Sequence, residues 1–287
     1  MKSPGSPIHT ALSGSSQGLA RTAARYQSTV LRLVRQLMAG QGDADTVHAI
    51  RTHCRRLQAL LELCGDEKRA AVMAQNVRRL SKLRALQVFR QYLAKVDACR
   101  SDIAAVDARI MKRKQKLAHR QVYRAIEQAV WKQALPTIGR PGPSLKERLE
   151  FLRHAHEQNL KRLIATAGER PRRKPLHALR LILKTIRYQA EWLPGRSGAK
   201  EDLLRRIKAV QALLGRYEEL AEFKRWGKDL SVVMQERIRK DWRKARRRAR
   251  GVPGDLAWLM DALVSGHVWI EMDQKRISLG LENLSTV

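Results

Sequence analysis

From Leu19 onward, apolar residues recur every three or four positions almost without interruption, so the pattern predicts helix along nearly the whole chain. No segment carries the two-residue alternation of a half-buried strand. Helix-breaking residues cut the pattern at Gly40 to Asp43, Gly65 to Asp66, Pro136 to Pro143, Gly168 to Pro175, Pro194 to Gly198 and Gly251 to Gly254. About four helices are expected before the second proline-rich stretch, near 19–39, 44–64, 67–95 and 98–134, and four or five after it. Residues 136–144 hold three prolines and two glycines and read as a linker between an N-terminal half, 19–135, and a C-terminal half, 145–287. Residues 1–18, rich in Ser, Gly and Pro, read as a mobile tail that stays out of the fold.

One helix pattern occurs twice. His48, Arg51, Arg55, Gln58 and Glu62 stand at i, i+3, i+7, i+10 and i+14, and His177, Arg180, Lys184, Arg187 and Glu191 repeat that spacing 177 − 48 = 129 residues later. At 100° per residue, each set spans an arc of about 80° and runs about 21 Å along its helix. One residue earlier in every case lies an apolar set. It is Val47, Ile50, Cys54, Leu57, Leu61 and Cys64 in the first copy, and Leu176, Leu179, Leu183, Ile186, Ala190 and Leu193 in the second. The apolar stripe must be buried, so the basic stripe beside it flanks the core. Arg and Lys side chains held there lose freedom and hydration before a ligand arrives, which preorganises donors for an anion. The plainer reading is an ordinary amphipathic helix with a solvated basic face; the gap-free repetition of His, cation and Glu positions favours a binding site.

Charge sharpens this. Fifty-eight Lys and Arg against twenty-seven Asp and Glu give a net charge of +31 over 287 residues, and such an excess calls for a polyanionic partner. Nucleic acid, anionic lipid and inorganic polyphosphate all qualify. Neither stripe includes an aromatic platform of the kind that single-stranded nucleic-acid binders use. The segment 237–250, with Arg246-Arg247-Arg248, reads as a solvated basic helix or as a nonspecific phosphate contact; the clusters at 112–116 and 172–174 carry the same ambiguity. Cys54, Cys64 and Cys99 have no paired spacing and read as reduced core residues. No apolar run approaches the roughly 20 residues of a membrane span, and no secretory signal is seen, so a soluble cytoplasmic protein is expected. No GxxxxGK[ST] phosphate loop occurs. His154 and His156 point to different helix faces, and His48 and His53 diverge by about 140°. A catalytic role, a metal site and a cofactor are therefore not expected.

The motifs Val47-His48-Ala49-Ile50-Arg51 with Arg55-Arg56-Leu57, and Leu176-His177-Ala178-Leu179-Arg180 with Lys184, Arg187-Tyr188 and Glu191, resemble those of the CHAD family, the conserved histidine α-helical domains. Lys208, Gln211, Leu214-Gly215 and Glu219-Leu220 are similar to that family's second signature. The resemblance covers most of the chain from about residue 19. It implies an all-α fold of two four-helix subdomains related by pseudo-twofold symmetry around a basic groove or pore. It also implies binding of inorganic polyphosphate by His48, Arg51, Arg55, Arg56, His177, Arg180, Lys184, Arg187 and Lys208, in a stand-alone member associated with polyphosphate granules. A nonspecific nucleic-acid-binding protein is the alternative. Two positions depart from the family pattern: Gln58 stands where another arginine is usual, and Ser81-Lys82-Leu83-Arg84-Ala85 replaces a Gly and Arg-Asp pattern while keeping Arg84.

Overall fold

The computed structural model describes residues 16–132, 145–169, 171–192 and 198–264, and these are all-α. Eleven α-helices run in chain order among them: α1 Ser16–Met38, α2 Ala44–Leu63, α3 Glu67–Arg79, α4 Ser81–Lys95, α5 Arg100–His119, α6 Val122–Trp131, α7 Leu145–Glu169, α8 Arg173–Trp192, α9 Gly198–Trp226, α10 Val232–Gly251 and α11 Ala257–Val264. Short 3-10 turns at Gly227–Asp229 and Gly254–Leu256 flank α10. Helix α1 begins at Ser16, inside the segment expected to be a tail; residues 1–15 and the expected linker at 136–144 lie outside the described residues.

Two expected helices are each split. The first breaks at Leu80, a fully buried residue with no helix breaker near it in sequence. Ser81 Oγ, at 2.9 Å, and the Arg51 guanidinium both donate to the Val77 carbonyl. The Val77 carbonyl is therefore satisfied at the break, where an unsatisfied buried acceptor would cost about 1–3 kcal/mol. The second breaks at Gln121, which takes a left-handed conformation at φ 49°. Neither Gly nor Pro marks that turn, and its signal is absent from the hydrophobic pattern.

The chain forms two compact units. Among the described residues, one comprises 20–132 and 216–246, the other 16–19, 145–169, 171–192, 198–215 and 247–264. Residues 216–246, which follow the proline-rich segment in sequence, thus group with the N-terminal helices.

In the unit containing α1 to α6, α2 packs along α3, and α4 along α5. Asp43 starts α2 with a reciprocal capping box, Thr46 N donating to Asp43 Oδ1 at 2.8 Å and Asp43 N to Thr46 Oγ1 at 3.2 Å. Gly65, at φ 73°, ends it in the left-handed geometry that glycine adopts without a Cβ penalty. Residues 216–246 complete this core: Phe223 stacks on Phe89 with ring centroids 4.5 Å apart, and the buried Asp102 carboxylate accepts from Ser231 N at 2.8 Å and Ser231 Oγ at 2.6 Å. Burial would raise the Asp102 pKa, but the Ser231 bonds prevail and hold it below the usual carboxylate value.

In the other unit, α7 packs along α8, and α11 returns onto α7. Leu160, Leu176, Leu179, Leu183, Ile186, Leu256 and Leu259 are buried there, with His156 bonded to Gln189 at 2.6 Å. Of the three cysteines, only Cys54 is the expected core residue, its thiol pushed up to about 12 by burial. Cys64 and Cys99 are exposed, because the apolar stripe of α2 ends one turn earlier, at Leu61, and Cys99 precedes the first turn of α5.

Candidate functional site

The two repeated stripes occupy α2 and α8, each 20 residues long. Val47, Ile50, Cys54, Leu57 and Leu61 are buried, as are Leu176, Leu179, Leu183, Ile186 and Ala190. The polar stripes match each other in exposure. His48 and His177 are exposed, while Arg51, Arg55, Gln58 and Glu62, and likewise Arg180, Lys184, Arg187 and Glu191, are half-buried. Each stripe thus grades from an open histidine into cations seated at the packing boundary, as the adjacency of the two stripes requires.

On α2, the cations divide. Arg51 turns inward to the α3–α4 junction, donating to the Val77 carbonyl and to Ser81 Oγ at 2.7 Å. Arg56, next to the stripe residue Arg55 in sequence, sits over the Tyr26 ring of α1, 5.4 Å from its centroid. Arg55 keeps to the stripe. Glu62 accepts from Gln58 Nε2 at 2.8 Å, so the carboxylate that closes this stripe holds an amide. Helix α4 adds Arg84, which donates to the Ala44 carbonyl at 3.1 Å near the start of α2. Burial and then the Arg84 charge hold His48 below the ordinary imidazole pKa, with Asp45 opposing. By area the His48 ring is open to water, yet enough protein surrounds its base to desolvate it in part. Burial likewise lowers Arg84, against the carboxylates of Asp45 and Glu219. Arg84 and Glu219 are site neighbours that periodicity along α2 could not find, since they come from other helices.

On α8, Glu191 holds a cation: Arg187 Nε lies 3.5 Å from Glu191 Oε1, and the Arg187 guanidinium sits 4.3 Å from the Tyr188 ring centroid. Helix α9 explains the second sequence signature. Gln211, buried, donates from Nε2 to the Leu183 carbonyl at 2.8 Å. One turn later, Gly215 lies so close to Arg180 that an added Cβ would meet Nη2 at 3.1 Å and Nε at 3.2 Å. The missing side chain lets the guanidinium rest against the α9 backbone. Lys208 is exposed one turn before Gln211, on the same side of α9. Lys200, at the start of α9, is a further cation that the sequence did not single out; burial pushes its pKa down to about 8, against the pull of Glu191.

Among the described residues, no group of three or more His, Cys, Asp or Glu side chains could hold a metal, and no helix is long and apolar enough to cross a membrane. Compared with known proteins, the chain matches the CHAD domain family over residues 23–228. A crystal structure of the CHAD domain from the plant Ricinus communis superposes with a TM-score of 0.54 at 18% identity, over 88% of this chain and 90% of that one, a likeness of fold. No curated protein matches.

Proposed function

This chain belongs to the CHAD domain family, and we propose that it binds inorganic polyphosphate through the stripes of α2 and α8 without acting on it chemically. The carrying observation is the matched pair of stripes. Two helices far apart in sequence set an exposed histidine ahead of half-buried cations, directly beside a buried apolar stripe. Polyphosphate offers repeated negative charge with no bases to read, so a row of forked and point-charge donors with no aromatic platform suits it. Arg55, Arg180 and Arg187 supply planar forks, Lys184 and Lys208 compact charges, and His48 and His177 donors at the open ends. Arg51 and Arg56 serve first as struts, to the α3–α4 junction and to Tyr26, and add to the local field. Nothing in this constellation of cations and histidines resembles a nucleophile with its base, so the proposed role is retention, with association to polyphosphate granules in the cell.

The test compares two variants with four substitutions each, the first removing three formal positive charges and a histidine, the second four positive charges. One carries His48→Gln, Arg55→Gln, Arg180→Gln and Lys184→Gln; the other carries Lys240→Gln, Arg243→Gln, Lys244→Gln and Arg247→Gln. With charge-assisted bonds worth about 1.5–3 kcal/mol each, the stripe variant should bind long-chain polyphosphate at least about tenfold more weakly by isothermal titration. The second variant should lose far less. Equal losses would reduce the stripes to ordinary surface charge.

A further inference from the structure

Helix α10 lies beyond residue 228, outside the span matched by the family. Its 20 residues include nine Arg and Lys against Glu236 and Asp241. Met234, Ile238, Ala245 and Ala249 are buried along one side. At 100° per residue, the nine cations fan over an arc of about 200° on the other side. Arg237 pairs with Asp241 at 3.6 Å, and Arg246 sits over the Trp242 ring at 5.2 Å. Lys240, Arg243, Lys244, Arg247, Arg248 and Arg250 have no carboxylate partner among the described residues. Lys240 and Lys244, Arg243 and Arg247, and Lys244 and Arg248 are like-charge i, i+4 pairs, each costing a few tenths of a kcal/mol in an isolated helix. The free chain bears that repulsion, and a polyanion relieves it.

The shape of the charge selects among polyanions. A flat surface meets only one sector of a helix, and a membrane-binding helix would turn an apolar face outward. On α10, the outward side past the exposed Val232 and Val233 is cationic. Single strands are gripped by aromatic platforms, yet the only aromatic residue here, Trp242, has Lys224 at 4.1 Å and Arg246 at 5.2 Å from its ring centroid. A partner that encloses the helix uses the whole arc. The major groove of B-form DNA is about 12 Å wide, a helix with its side chains is about 10–12 Å across, and phosphates line both walls. We infer that α10 docks in the groove of duplex nucleic acid, its cations meeting phosphates on both sides. From Arg237 to Arg250 the helix runs about 20 Å, or roughly six base pairs at 3.4 Å each.

The inference is independent of what the stripes bind, and the two variants above separate them. The full-length protein and both variants are titrated with a duplex of about 24 base pairs, with a single strand of equal phosphate count, and with phosphatidylserine-containing vesicles, at about 50 mM salt and upward. The α10 variant should lose at least tenfold in duplex affinity and show a log affinity against log salt slope shallower by about 3, while the stripe variant keeps most duplex affinity. The unaltered protein should prefer duplex over single strand at least threefold. Circular dichroism should report an intact fold in both variants, since the α10 substitutions remove only exposed, mutually repelling charges. Equal affinity for single strand and duplex, or an α10 variant that loses vesicle binding but keeps duplex binding, would overturn the assignment.

Discussion

At the scale of single residues, two glycines show how context sets the meaning of a side chain. Gly168 in α7 has nothing near its missing Cβ, whereas Gly215 in α9 is pressed by Arg180. Gly168→Ala should raise stability by about 0.5 kcal/mol through helix propensity alone. Gly215→Ala should displace the guanidinium and weaken polyphosphate binding severalfold while the protein still folds; thermal melts beside polyphosphate titration check both, and unchanged affinity would separate Gly215 from the site. His53 carries the clearest pH dependence. Burial, followed by Arg56, Arg25 and Arg32, pushes its pKa down to about 4 from an ordinary 6.5. The unfolded chain therefore binds a proton that the folded one refuses, so stability present above pH 6.5 is lost as the pH falls toward 4, by an amount on the order of 2 kcal/mol. Urea midpoints at pH 7 and pH 5 should differ, and His53→Phe, which keeps a ring against Tyr26, should shrink the difference. Both histidine-led stripes were legible from spacing alone because a helix repeats its faces on a fixed period. Lys200 was not, and Arg84 stood out only through its motif, because which helices come together is set by packing, not by any local period.

At the scale of elements, the ends of α2 near Gly65 and of α4 at Lys95 were readable, whereas the breaks at Leu80 and Gln121 were not. Gly65 announces the close of α2 by its chemistry, while Leu80 and Gln121 break helices in sequence that reads as continuous. At Leu80, the reason is tertiary: Arg51, from the middle of α2, supplies a donor to the carbonyl that the break exposes. The turn thus depends on a residue 26 positions away. Ser81 shares that carbonyl, so the two donors should be energetically coupled. Ser81→Ala is expected to cost about 1 kcal/mol and Arg51→Met about 2–3 kcal/mol, with a double-mutant-cycle coupling above about 0.5 kcal/mol in urea denaturation. Strict additivity would show that they act separately. Arg51 is accordingly a poor choice for probing ligand binding, although its place in the stripe suggested otherwise.

At the scale of the whole molecule, the all-α class followed from periodicity, and the excess of positive charge from counting. The grouping of helices into compact units did not, because no local pattern says that residues 216–246 join residues 20–132. That excursion has a practical corollary. A fragment truncated at the proline-rich segment would present Phe89 without its stacked Phe223 and Asp102 without the Ser231 donors. Losing a buried aromatic side chain such as Phe223 from a core costs about 3–5 kcal/mol, a large share of the stability of an ordinary domain. Expressed by itself, such a fragment should aggregate; produced together with the remainder as a separate polypeptide, the two should reconstitute one noncovalent particle that co-elutes on gel filtration. Recovery of a cooperatively melting fragment 1–140 would contradict this. The chain therefore behaves as a clasp whose later strap must arrive before the earlier part can close, which ties completion of the first unit during synthesis to emergence of the last third of the polypeptide.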